Sequence, residues 1–347
     1  MEEKLHEEKL LKLLQMKLSA KYFLILFIGS LLLVIPGSNT TAQTVKSKHS
    51  LRIVWDNDFI NVRGDGTDRY YTNGIRIDYF YTKLEKARFP SSLLLNISDD
   101  NNNVYGWGLA QFMFTPKNIA VPDIQYNDRP YAGALYSIHS LQSIDNIKKI
   151  KIISEIRLGV IGPLSFAKET QTWAHRVINY TKPLGWHNQV PNDIILNYNI
   201  SVEKLMLQAS KKILLVGIVE TFSGTTYNAA GAGFMLRVGK FNNYFDDISG
   251  AQTKMNKSQL YVFMKPAARV VLSNALLQGG LLNQFRPQSN GYVLSKDQIE
   301  RVVVLYDVGI TFEKPRYSIT ISQKSIGAEF KGQYTQEYGS LMMQFKI

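Results

Sequence analysis

From Leu51 to the last residue, apolar and polar positions alternate with a period of two, in segment after segment. In RVVVLYDVGITFE, Val302, Val304, Tyr306, Val308, Ile310 and Phe312 share one face, while Arg301, Asp307, Thr311 and Glu313 take the other. In RYSITISQK the split is Tyr317, Ile319 and Ile321 against Arg316, Ser318, Thr320, Ser322 and Lys324. A two-residue period puts successive side chains on opposite faces of an extended chain, so these segments are half-covered strands and not helices. Twelve of them can be counted, at roughly 50–58, 72–82, 104–114, 131–142, 150–162, 194–206, 213–223, 228–239, 258–270, 301–313, 316–324 and 335–346.

An even number of antiparallel strands, charged on one face and aromatic or aliphatic on the other, predicts an all-β fold: a 12-stranded antiparallel transmembrane β-barrel. The chain ends in a strand, with Leu341, Met343, Phe345 and Ile347 on one face. Closure of first strand on last leaves no unpaired backbone edge in lipid, where such an edge is untenable. A water-soluble sandwich is the competing architecture. With both termini at one end, the connections 59–71, 115–130, 163–193, 224–227, 271–300 and 325–334 fall at the opposite end, which outer-membrane barrels turn outward from the cell.

The N-terminus adds a compartment. Lys17 and Lys21 precede an apolar run from Tyr22 to Ile35, then Pro36 and Gly37, then small residues up to Ala42. That run is shorter than the roughly 20 residues a membrane helix needs and has the layout of a cleaved secretion signal. Residues 1–42 are therefore expected to be an N-terminal extension and signal peptide, and 43–347 the barrel domain of a bacterial outer membrane. Losing residues 1–42 removes five Lys and four Glu, so the formal charge goes from +12 to +11. An exported basic barrel suits lipid phosphates better than nucleic acid. Cysteine is absent, which excludes disulfides, thiolate nucleophiles and Cys-type metal sites.

Polar residues with chemical potential collect at the end away from the termini. DNDF closes strand one, DRYYTNG opens strand two, NDRPYAG opens strand four, and TWAHRVINYTKPLGWHNQ fills the third long loop. Each has a bland reading as well: Asn57 and Asp58 as an Asx turn, Asn73-Gly74 as turn chemistry, Arg129-Pro130 as a charged rim turn. The third loop has helical character from Ser165 to Thr181. Phe166, Trp173, Val177 and Tyr180 lie near one stripe, and Gln171, His175 and Asn179 line another, with Pro183 and Gly185 as stops. Asp58 and Asn57 offer hard oxygens suited to calcium, and an imidazole with an ordinary pKa of about 6.5 can take a proton from water as a general base. No Gly-x-Ser-x-Gly elbow is present. Strand parity places Asp58 and Thr72 on the inward face and Asn57 on the outward one.

These stretches together, with GPLSFAKETQTWAHRVI, GWHNQVPND and the late NALLQGG, resemble the lipid A 3′-O-deacylase family of outer-membrane barrels, in matching order over about residues 50–347. The resemblance implies a site near the outer leaflet, between the barrel wall and a loop helix. It also implies calcium-dependent hydrolysis of the 3′-linked acyloxyacyl chain of lipid A, the lipid anchor of lipopolysaccharide, by chemistry similar to that of secreted phospholipase A2. Carried over by position, His175 is the catalytic base, Asn57 and Thr72 are catalytic partners, Asp58 is the Ca2+ ligand, and Arg129 contacts substrate. An acidic residue that the family carries shortly after the histidine is replaced here by Thr181 or Lys182, and the basic residues of its second loop have no clean match at 117–120. The rival expectation is a non-enzymatic barrel that binds lipid or supports the envelope. A porin is disfavoured, since inward charges such as Glu155, Arg157 and Asp307 would fill so narrow a lumen.

Overall fold

The computed structural model describes residues 49–61, 69–82, 88–97, 103–245, 258–282 and 291–347, so the predicted leader lies outside the described residues. The strands are β1 (His49–Asn57), β2 (Tyr70–Tyr81), β3 (Asn103–Thr115), β4 (Ala132–Asp145), β5 (Ile150–Ile161), β6 (Asp193–Ala209), β7 (Ile213–Gly224) and β8 (Tyr227–Lys240). They continue as a two-part β9 (Gln259–Met264 and Ala267–Asn274), then β10 (Val302–Glu313), β11 (Tyr317–Ile326) and β12 (Gln336–Lys346). Each is antiparallel to its neighbour, and β1 closes on β12 with Leu51 opposite Phe345 and Trp55 opposite Leu341. The barrel is closed and 12-stranded, as the alternation predicts.

The ninth strand corrects the single segment expected at 258–270. Both halves pair with β8 and β10, but Lys265 and Pro266 interrupt them, and the strand then runs on to Asn274. Proline has no N–H for the ladder, so the strand breaks where the sequence places it.

The two faces of the wall differ as lipid and lumen require. Outward positions such as Ile75, Ile77, Tyr79, Leu109, Leu196 and Val262 are exposed apolar side chains. The inward face carries a chain of alternating charge: Arg52 to Asp78 at 2.8 Å, Asp78 to Arg76 at 2.9 Å, Arg76 to Glu155 at 2.8 Å and Glu155 to Arg157 at 2.6 Å. Desolvated ions cost several kcal/mol each unless paired, and here every carboxylate of the chain meets two guanidinium groups. No helix among the described residues is long and apolar enough to cross a membrane.

Near the end that carries the termini, residues 88–97 lie across the outside of the wall. Leu95 N–H donates to Ser154 Oγ, Ile97 N–H to Ser143 Oγ, and Tyr198 Oη to the Leu93 carbonyl. These contacts satisfy outward hydroxyls that would otherwise face hydrocarbon.

Candidate active site on the outer wall

The third long loop begins where β5 ends. Gly162, with φ +86°, turns the chain; a single turn at Pro163–Ser165 follows, and Phe166, with φ +57°, starts α1 (Ala167–Val177). The helix is seated on the outside of the barrel. Gln111 Nε2 donates to the Ser165 carbonyl at 2.7 Å, and Ala167 packs with Met113. Gly133 makes the seat possible, since a Cβ there would stand 2.1 Å from Ser165 Oγ and 2.4 Å from the Ala167 Cβ. The loop closes around Trp186, which is 1% exposed, lies 4.9 Å from the Tyr131 ring and donates to Gln171 Oε1 at 2.7 Å.

The orientation of α1 reverses that of a helix on a water-soluble protein. Ala167, Gln171 and His175 form the buried face, and Phe166, Trp173 and Val177 are exposed, Trp173 at 62%. Both stripes follow the sequence pattern, but the polar one faces the wall and the apolar one faces out, where a barrel meets lipid. Asn179 and Tyr180, expected on the polar and apolar stripes, lie past the end of the helix, Asn179 with φ +53° and Tyr180 packed against the cluster around Trp186.

His175 is 6% exposed, and its Nδ1 lies 2.6 Å from the Thr181 carbonyl. A carbonyl oxygen can only accept, so Nδ1 carries the proton and Nε2 is the basic nitrogen. The Tyr180 ring stands edge-on at 5.0 Å and fixes the imidazole plane. Where the family resemblance calls for an acidic side chain shortly after the histidine, a backbone oxygen orients the ring instead. No side-chain signal in the sequence announces that contact.

Thr72 overturns the parity expectation. The register between β2 and β3 shifts between Tyr71 and Asn73, so Thr72 is an extra residue in a bulge. Its Oγ1 lies 2.8 Å from Thr115 Oγ1, and Thr115 follows Leu109, Gln111 and Met113 on the outward side of β3. The bulge therefore turns Thr72 from the lumen to the outer wall. Thr115 is a member of this surface that the sequence did not single out for chemistry.

Asn57 also faces outward, as parity predicts, and it does the bland work too. Its Oδ1 accepts from Phe59 N–H at 2.8 Å and so caps the turn Asp58–Ile60. Its Nδ2 donates to Asn73 Oδ1 at 3.2 Å, an oxygen that also accepts from Trp55 Nε1 at 2.8 Å. Asp58 leaves the strand in that turn, is 5% exposed, and accepts from Arg69 N–H at 3.1 Å. Across the wall, Asn57 is level with Asn73, Asn73 with Met113, and Met113 with Gly133, the seat of α1. With strands about 4.8 Å apart, three spacings put Asn57 about 14 Å along the wall from Gly133.

Asn57, Thr72 and His175 thus lie on the outer side of the wall, and Asp58 sits in the turn beside Asn57. Arg129 does not join them. It is 1% exposed, with its guanidinium 4.2 Å from the Phe114 ring and Nη1 2.5 Å from Glu329 Oε2, inside the barrel mouth. Expected to contact substrate, it lies instead in a lumenal ion pair, apart from that outer surface.

Among the described residues no three His, Asp or Glu side chains gather as a metal cluster. Asp58 offers a carboxylate, one oxygen of which accepts from Arg69 N–H, beside the amide of Asn57; hard oxygens of this kind suit Ca2+ and do not select zinc.

The model of the family described as outer membrane protein LpxR matches residues 26–347. Among solved structures, LpxR from Salmonella typhimurium superposes with a TM-score of 0.70 at 20% identity, over 86% of this chain and 100% of that one. The β domain of the Bordetella autotransporter BrkA gives 0.42 at 7% identity, covering 87% and 100%, and Omp33 of Acinetobacter baumannii gives 0.31 at 7%, covering 88% and 100%. No curated protein sequence matches.

Proposed function

The chain belongs to the LpxR family of outer-membrane proteins, and from that premise we propose that it is a lipid A deacylase, an esterase that removes the 3′-linked acyloxyacyl chain of lipid A. The observation that carries the reading is the inverted helix. A buried His175, its Nδ1 bound to a carbonyl, is held against the outside of the wall, where a substrate anchored in the outer leaflet arrives by lateral diffusion. Outward aromatic residues such as Phe166 and Trp173 border the same place.

In the proposed reaction, water adds to the ester carbonyl while His175 Nε2 accepts its proton. The carbon–oxygen bond to the sugar then breaks, and the imidazolium returns the proton to the sugar oxygen. The products are a free acyloxyacyl acid and the sugar 3′-hydroxyl. Asn57 and Thr72 present amide and hydroxyl groups to the reacting carbonyl. Asp58 would hold Ca2+, which when bound supplies electrostatic stabilisation of the developing oxyanion. The basic surplus of the chain favours a phosphorylated glycolipid.

Mass spectrometry of lipid A after incubation with the detergent-solubilised protein tests the reading. Loss of one acyloxyacyl mass by wild type and not by His175→Ala is the expected result. An unchanged spectrum from lipid A of several sources overturns it and leaves a lipid-binding or envelope-supporting barrel.

A further inference from the structure

Inside the barrel, at the end away from the termini, lies a cavity of about 270 Å³. Its wall is mostly aromatic and aliphatic, including Phe112, Phe114, Ile195 and Leu305. It is roofed by a short helix, α2 (Ala275–Gln278), whose Leu277 packs with Tyr70, Leu294, Ile299 and Phe330. Three arginines, Arg129, Arg157 and Arg269, reach this largely apolar space.

Two of the three are engaged through the Nε side of the guanidinium. Arg157 donates from Nε and Nη2 to Glu155, at 3.0 and 2.6 Å, and Arg269 Nε donates to Glu220 at 2.5 Å. Arg129 is different. Its Nη1 binds Glu329, while Nε and Nη2 are buried and have no hydrogen-bond partner. Nε–H and Nη2–H lie on the same side of a guanidinium, parallel and spaced to receive both oxygens of one carboxylate. Glu329 does not serve that fork: it meets Nη1 alone, and its oxygens also accept from Gln336 Nε2 at 3.0 Å and Asn274 Nδ2 at 3.4 Å. A guanidinium with two buried orphan donors is costly to keep, so its presence in an apolar chamber calls for a partner.

We propose that this chamber is a binding site for a small monocarboxylate with an apolar body, its carboxylate bridging Nε and Nη2 of Arg129 and its body packed among Phe112, Phe114 and Leu305. The volume lies just below the roughly 300–1,000 Å³ typical of pockets for drug-sized ligands, so the occupant is smaller than these, of benzoate size. A phosphate, with more charge and no apolar body, would leave oxygens facing hydrocarbon.

The lumen supplies a route. The chamber shares Arg269, Leu305 and Ile326 with a second cavity of about 260 Å³. That cavity shares Lys265, Asp307 and Lys324 with a third of about 560 Å³, which reaches Glu313 and Lys346 beside the termini. Arg52, Arg76, Lys151 and Arg237 also line the third cavity, beside Glu155, Asp307 and Glu313, so cations outnumber carboxylates on the side of the chamber toward the termini, a balance that suits entry of a small anion from that end. The site is separated by the barrel wall from the outer surface that holds His175, and it does not rest on the esterase reading.

Titration calorimetry of the full chain in a neutral detergent, with benzoate as the probe and benzyl alcohol as its uncharged counterpart, tests the proposal. Benzoate is expected to bind with a dissociation constant on the order of millimolar or below, as suits a ligand of this few atoms. Benzyl alcohol is expected to bind at least tenfold more weakly. Arg129→Lys keeps the charge beside Glu329 but lacks the fork, and it is expected to weaken benzoate about tenfold or more, with the heat-modifiable mobility of the folded barrel unchanged. Ala134→Phe, which fills the chamber and leaves Arg129 in place, is expected to do the same. Equal binding of acid and alcohol, full affinity in Arg129→Lys, or no benzoate binding at 20-fold the expected constant overturns the proposal and assigns the orphan donors to water.

Discussion

Thr72 Oγ1 and Thr115 Oγ1 lie 2.8 Å apart, on neighbouring strands, at a point where the β2–β3 register slips by one residue. Strict alternation would aim Thr72 into the lumen beside Arg76 and Asp78. The bulge aims it outward, onto the surface that also carries Asn57, Asn73 and the seat of α1. Thr72→Val keeps the shape and the branched Cβ but removes the hydroxyl. It is expected to lower deacylation of lipid A at least tenfold, while Thr72→Ser retains most of it. Equal rates for the two variants would show that the hydroxyl does not act. Thr115→Val, which leaves Thr72 in place but takes away its partner, is expected to have a smaller effect.

Gly133 tests the helix seat separately from the chemistry. Any side chain there collides with Ser165 and Ala167, yet a β-branched residue suits the strand itself. Gly133→Val is expected to leave the barrel folded by its heat-modifiable mobility while displacing α1. Deacylation should then fall on the order of 100-fold, since a shift of about 1 Å in a positioned base has effects of that size. The buried Trp186, tied to Gln171, would report the displacement as a red shift of its fluorescence. Normal activity in this variant would mean that the seat can yield without moving His175.

The strands were legible because lipid on one side and a charged lumen on the other impose a two-residue period, and the expected ends fall close to the observed ones. What alternation cannot carry is a single inserted residue, so the direction of Thr72 was missed. The helix was legible as two stripes, but which stripe faces inward depends on the surrounding solvent. Arg129 shows a different limit. A rim arginine and a lumenal arginine look alike in sequence, and only Glu329, 200 positions away, decides between them. The contact from His175 to Thr181 uses a backbone oxygen that every residue possesses.

Calcium dependence is checked by chelation. In the proposed site Asp58 is the one carboxylate, so affinity should be modest, and a chelator in excess is expected to abolish deacylation. Adding back Ca2+ should restore it. Mg2+, which demands near-ideal octahedral geometry and sheds water reluctantly, should do so poorly. Asp58→Asn is expected to raise the calcium needed for half-maximal rate at least tenfold. Full activity in chelator would remove the metal from the reaction, and unchanged calcium dependence in Asp58→Asn would move it to other ligands.

The charged lumen makes a prediction about stability alone. Glu155 accepts from Arg76 at 2.8 Å and from Arg157 at 2.6 Å, and it is the carboxylate that holds two buried guanidinium groups near each other. Glu155→Leu removes that charge and leaves two cations facing across a narrow interior. Breaking a buried pair by deleting one partner costs about 3–5 kcal/mol, and Arg76 keeps Asp78 as a second partner, so the lower end of that range is expected. Replacing both Glu155 and Arg157 by apolar residues should recover a good part of the loss, because the uncompensated charge goes with its partner. Urea titration of the barrel refolded into lipid vesicles reads the difference. A single variant as stable as wild type would show that lumenal water, and not Glu155, carries the cost of these arginines.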